Sequence, residues 1–125
     1  MGYTDPSSGS PIHLVIHQAI HIKHLEHHLL CPMQCRVNGV VINECPRFQD
    51  RNPTAESHSI VIDENSSDSE EKVILPLSLS GVTSYLPVHV PSMEDWISNK
   101  YPRYELTNEQ LDWDPCDDSF QQQED

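Results

Sequence analysis

The apolar residues of this chain come in short pieces, none longer than about four residues where a bilayer span needs roughly 20. Of the 125 residues, 36% are hydrophobic, 6% are aromatic and 10 are proline. A chain of this length and apolar content buries only a modest core, so one small domain with tails is what it can build. The charge narrows the field further. Asp and Glu number 20 against 7 Lys and Arg, a formal net charge of -13. A surface this acidic repels phosphate backbones, which argues against nucleic-acid binding. The N-terminus is polar and lacks the basic region and apolar core of a secretory signal. Met1-Gly2 is followed by Pro6 where an N-myristoylation signal wants Ser or Thr. An intracellular, cytoplasmic location is expected, with no membrane association and the four cysteines reduced.

Local patterning favours β structure. Residues 1–11 are turn material, and Asp5-Pro6-Ser7-Ser8-Gly9 suits a hairpin tip. Residues 12–22 fit two templates. With period two, Leu14, Ile16, Ile20 and Ile22 share one face, and His13, Val15, His17, Ala19, His21 and Lys23 share the other. With period 3.6, the histidines at 13, 17, 21, 24 and 28 fall on one stripe. The β-branched residues favour a strand, with its histidine face exposed. Leu25 to Leu30 then reads as a turn or short helix. Pro32 suits a helix start and Asn38-Gly39 a helix end, which predicts a helix over 32–38. Val40–Ile42 and Ser59–Asp63 read as short strands. Residues 64–71, ENSSDSEE, are an acidic low-complexity loop. Val73–Leu79 and Val82–Val90 read as a β-hairpin turning at Ser80-Gly81. Ser92 suits the N-cap of a short helix with Glu94 and Asp95 in its first turn. Residues 104–107 read as a last strand. From Asp112 onward the acidic, Gln-rich tail is expected to be disordered.

Candidate chemistry is sparse. His13, His17 and His21 at i, i+4 spacing would put three imidazoles on one helix face, about 6 Å apart, where a pair could chelate zinc. On a strand they stand about 13 Å apart at roughly 3.3 Å per residue and cannot share a metal. Cys31, Cys35 and Cys45, with His27 or His28, are the other weak metal candidates. Their spacing supplies only one of the two ligand pairs a structural zinc site uses, and small buried hydrophobes at 31 and 35 are the simpler reading. Cys116 reads as an exposed thiol in the tail. There is no nucleophile elbow and no phosphate loop, so no cofactor is expected. Asp63 follows an apolar triplet, but Glu64-Asn65 comes next instead of the Ser/Thr-Gly of an aspartic-protease loop. Asp112 and Asp114 flank Trp113 in the tail. No residue is assigned a catalytic role.

A series of blocks nevertheless resembles one family. They are Tyr3-Thr4-Asp5-Pro6, Leu14 to Ile20, Leu29-Leu30-Cys31-Pro32-Met33-Gln34-Cys35-Arg36-Val37-Asn38-Gly39-Val40, Cys45-Pro46-Arg47-Phe48, His58-Ser59-Ile60 and Ile74-Leu75-Pro76-Leu77. Gly81 to Pro87, Glu105-Leu106-Thr107 and Trp113-Asp114-Pro115 complete the series. In order and spacing they resemble the retropepsin-like protease region, and the stretch after it, of Gag-Pol polyproteins from copia-type retrotransposons. The resemblance implies that the protease aspartate precedes the segment like residues 1–20, so it maps to no residue here. A retropepsin is a dimer whose subunits each give one aspartate to a shared water. The chain is therefore expected to be a fragment or remnant of such a polyprotein, not an enzyme as it stands. Its polyprotein neighbours or a second copy are the partners to consider. Two alternatives are an acidic interaction module for a basic partner and a His/Cys metal-binding protein.

The expected fold is mainly β, small α+β: an incomplete retropepsin-like sheet with a β-hairpin, one or two short helices and a disordered acidic tail. Residues 1–63 would be the C-terminal part of the retropepsin-like domain, 64–72 an acidic loop, 73–111 a hairpin and short-helix extension, and 112–125 the tail.

Overall fold

The computed structural model describes residues 1–4, 11–21, 27–63, 72–98, 101–109 and 113–124. In chain order the elements are β1 (Gly2–Thr4), β2 (Pro11–Val15), β3 (Ile20–His21), β4 (His28–Leu29), α1 (Pro32–Val37), β5 (Val41–Asn43), β6 (Ser59–Asp63), β7 (Lys72–Pro76), β8 (Ser78–Ser80), β9 (Thr83–Tyr85), α2 (Met93–Ile97), β10 (Arg103–Glu105) and α3 (Asp118–Glu124). A single 3-10 turn, Arg47–Gln49, follows Pro46. The fold is mainly β, with short helices at its margins.

Two three-stranded sheets build the body. In the first, β2 is central, antiparallel to β1 and parallel to β10. In the second, β6 is central and antiparallel to both β5 and β7. Each central strand is buried on both faces. Ile12, His13 and Leu14 are 9%, 2% and 1% exposed, and Ser59, Ile60, Val61 and Ile62 between 0% and 7%. One apolar cluster draws on both sheets: Tyr3, Ile12 and Leu14 from the first, Ile42, Ile60, Ile62 and Leu75 from the second, with Cys35, Val40 and Leu106 between. Fully burying a Leu-sized side chain contributes about 1.5–3 kcal/mol, so Leu14 and Leu75 are principal supports.

Local chemistry explains several boundaries. Pro32 begins α1, where its missing N–H costs nothing, and Gly39 at φ +83° closes it. Ser92 Oγ accepts a hydrogen bond from the Asp95 N–H and caps α2. Gly81, at φ +60°, turns β8 into β9.

Other expectations are corrected. The strand expected over 12–22 is broken. β2 stops at Val15, and Gln18 at φ +62° turns the chain before β3. His28 and Leu29 pair with His21 and Ile20 as a strand, not a helix. The long hairpin over 73–90 is split. Val73 to Pro76 belong to β7 against β6, and only three residues on each side of Gly81-Val82 pair as β8 and β9. The split falls at Leu77, whose N–H donates to the His58 carbonyl at 2.9 Å. Pro87 and Pro91 lack the N–H a longer partner strand would need. The last strand lies at 103–105, one residue before its expected start. The tail contains α3 where disorder was expected. Asp117 accepts at its start from the Ser119 N–H, and Phe120 packs on Trp113 with ring centroids 5.3 Å apart. The expected hairpin tip at 5–9 and the acidic loop 64–71 lie outside the described residues, and β1–β2 and β6–β7 pair across them.

Candidate functional site

The most unusual side chain in the molecule is His13. It sits on the central strand β2, opposite Gly2 on β1 and Arg103 on β10. The sequence reading put it on an exposed face. That is corrected here, because the polar face of the alternation is covered by α2 and the segment leading into β10. The imidazole lies 5.4 Å from the Trp96 ring, and Tyr101 meets it edge-on at 5.5 Å. The Arg103 guanidinium lies 3.8 Å over the indole of Trp96, and its Nη2 donates to the Trp96 carbonyl. His13, Trp96 and Arg103 thus form a stack across the edge of the sheet. His89 closes one side through a two-way backbone bridge to Gly2, 2.7 Å and 2.9 Å. A Cβ at Gly2 would meet the exposed His89 ring, which would have to turn aside.

The electrostatics of the pocket oppose a charged imidazole. His13 Nδ1 is buried and has no hydrogen-bond partner. Burial is the main cause that lowers its pKa below the usual 6.5; the Arg103 and N-terminal charges and His89 push the same way, and Asp95 pulls back. The ring is therefore held neutral at pH 7. The Met1 amine, which donates to the Leu14 carbonyl at 2.9 Å, is itself lowered by burial.

The other sequence candidates are placed elsewhere. The His17 backbone N–H donates to Thr107 Oγ1 at 2.6 Å, and that hydroxyl donates back to the His17 carbonyl at 2.9 Å. This pair ties the chain after β2 to the end of β10, and His17 Nε2 is left buried without a partner. His21 stands opposite His28 in the β3–β4 pair. Cys31 is half-buried, Cys35 is in the core and Cys45 is exposed. Burial, more than the neighbouring Cys31, pushes the Cys35 thiol up to about 11, which disfavours the thiolate a metal needs. Among the described residues no group of three His, Cys, Asp or Glu side chains could hold a metal ion. Asp63 is exposed at the end of β6, opposite Lys72. Asp114 accepts from the Cys116 N–H at 2.9 Å in a local turn, and Cys116 is exposed.

No protein-family model, curated protein or solved structure matches this chain. Its own geometry therefore carries the functional reading.

One feature escaped sequence reasoning as chemistry. His58 is 6% exposed, takes φ +47°, and its Nε2 lies 2.9 Å from Ser84 Oγ. It borders an open polar cleft of about 660 Å³ whose walls include Asn43, Asp50, Glu56 and Ser57. Most polar groups of that cleft are engaged locally. Ser57 Oγ donates to Asp50 Oδ2 at 2.9 Å and accepts from the Thr54 N–H at 2.7 Å. Asn43 Nδ2 donates to the Glu56 carbonyl at 2.8 Å. These bonds hold the 44–58 loop, and the His58–Ser84 pair pins the β8–β9 hairpin to it. No local pattern announces this pair, since its partners are 26 residues apart.

Proposed function

We propose that this chain is a non-catalytic piece of a copia-type retrotransposon Gag-Pol polyprotein, drawn from the end of its retropepsin-like region and the stretch beyond. One observation supports the reading above the others. Seven of the ten core residues, Tyr3, Leu14, Cys35, Val40, Ile60, Leu75 and Leu106, fall in the blocks that carry the resemblance, and Ile12, Ile42 and Ile62 lie beside them. The mainly β architecture is compatible with the end of a protease sheet.

In this reading the chain cleaves nothing by itself. Asp114, in the last of the family-like blocks, serves a local turn by accepting from the Cys116 N–H. Its place is inside the cell, with the rest of the polyprotein. Among the described residues no helix is long and apolar enough to cross a membrane.

The test is cleavage of a broad peptide library by the purified chain between about pH 4 and pH 7, with and without pepstatin. No turnover is expected. Pepstatin-sensitive turnover would overturn the non-catalytic assignment. The genomic sequence upstream of the Met1 codon tests the origin. An in-frame aspartate-bearing protease loop is the expected finding, and an unrelated reading frame there would remove the basis for the polyprotein.

A further inference from the structure

We propose that the stack of His13, Trp96 and Arg103 is an acid-operated latch: when His13 takes up a proton, α2 detaches from the first sheet while the second sheet stays intact. The proposal is independent of the chain's origin and rests on four observations about the placement of this ring.

First, His13 cannot reach solvent by a side-chain rotation alone. It is 2% exposed on a central strand whose neighbours on both sides are hydrogen-bonded to it. A proton acquired there must be accommodated in place or the covering elements must leave.

Second, the formal charges felt by the ring among the described residues are two cations against one acid, although the whole chain carries -13. Arg103 faces it from β10, the Met1 amine from the start of β1, and His89 from the bridge beside Gly2. Tyr101 meets it edge-on from the segment before β10. Asp95 of α2 is the one acid among the charges felt by the ring.

Third, Nδ1 has no partner. A neutral imidazole leaves one buried nitrogen unpaired, whereas an imidazolium must satisfy two N–H groups and a charge in the same space.

Fourth, α2 is the weakly held part of the cover. It contributes no buried residue, whereas β10 runs into Leu106 and Thr107, which are fully buried and anchored to Val15 and His17. Elements with little buried surface open first, at a fraction of the global free energy. The second sheet has no histidine on its strands, since His58 lies just before β6.

The experiment uses the full chain. The two tryptophans are Trp96 and Trp113, so Trp113→Phe leaves Trp96 as the reporter. Its emission is followed from about pH 7.5 to about pH 4.5, alongside amide exchange corrected for its intrinsic pH dependence. Below about pH 6.5 the Trp96 emission is expected to shift to the red. Amides of 93–98 should exchange about tenfold faster for each pH unit until His13 is fully protonated, with β5, β6 and β7 still protected. In His13→Phe, whose apolar ring fills the same space without titrating, both changes should vanish. Ring NMR of His13 in the unmutated chain provides a readout that needs no variant: its titration midpoint should coincide with the exchange transition. Protonation of His13 without faster exchange in 93–98 would overturn the latch, and so would a Trp96 transition that survives in His13→Phe.

Discussion

The two three-stranded sheets are built alike and packed differently. Both place a short central strand between two partners, and both bury that strand on both faces. In β6 the buried side chains are Ile60, Val61 and Ile62, together with Ser59 at the strand's start. In β2 one face carries Ile12 and Leu14, and the other carries His13 beneath an aromatic and cationic cover. Aliphatic burial depends little on pH, whereas burial of an imidazole ties stability to its protonation. The difference teaches that two sheets of the same size can place an aliphatic run on one central strand and an imidazole on the other.

The largest effect expected from breaking this comparison lies in the aliphatic sheet. Leu75→Ala or Ile60→Ala removes a side chain that is 1% or 2% exposed and should cost about 2–5 kcal/mol in denaturant unfolding. The loss should be the same at pH 7.5 and pH 5.5. A loss below about 1 kcal/mol would mean that the second sheet is not the fold's main support.

The imidazole-bearing sheet is probed by pH. A histidine whose folded pKa is lowered stabilises the fold while neutral. That stability is complete above about 6.5, the unfolded value, declines as pH falls below it, and levels off once the folded ring is protonated. The unmutated chain should therefore lose stability on acidification through this window. His13→Phe should flatten that part of the curve. A stability curve unchanged by the substitution would erase the distinction between the sheets.

Turn glycines set a smaller scale. Gly39 and Gly81 both hold positive φ with open space where a Cβ would go, so a side chain there costs backbone strain and not a clash. Gly81→Val should destabilise by about 1–2 kcal/mol, and Ser80→Ala, at an exposed strand end, by much less. Equal effects in thermal melts would show that the turn does not depend on Gly81. Smallest is the cap of α2. Ser92→Ala removes the acceptor for the Asp95 N–H and should weaken this helix by about 1 kcal/mol. Because α2 covers His13, the variant should also open at higher pH than the parent, as read by Trp96 emission.

How much was legible follows from how far apart the causes lie. Pro32 and Gly39 bracket α1, Ser92 caps α2, Ser59–Asp63 is a strand of the expected extent, and Gly81 turns a hairpin. Each signal lies within a few residues of the element it specifies. The misreadings share another cause. The alternation over residues 12–22 holds as a strand only as far as Val15, and a strand pattern states only which residues share a face. It does not say which faces will be covered. Val73 to Leu79 looked like one arm of a hairpin because its other partner, β6, is reached only across residues 64–71.

What could be read from residues alone was α1, α2 with its Ser92 cap, β6, the Gly81 turn and a small acidic fold rich in strands. Propensities, prolines and positive-φ glycines act over one or two turns of chain, so they can be read in place. The tertiary structure alone decided that β10 returns parallel to β2, that Trp96 and Arg103 cover His13, and that His58 meets Ser84. These are pairings between distant segments. They settle where water is excluded, and exclusion of water is what turns an ordinary histidine into one that resists its proton.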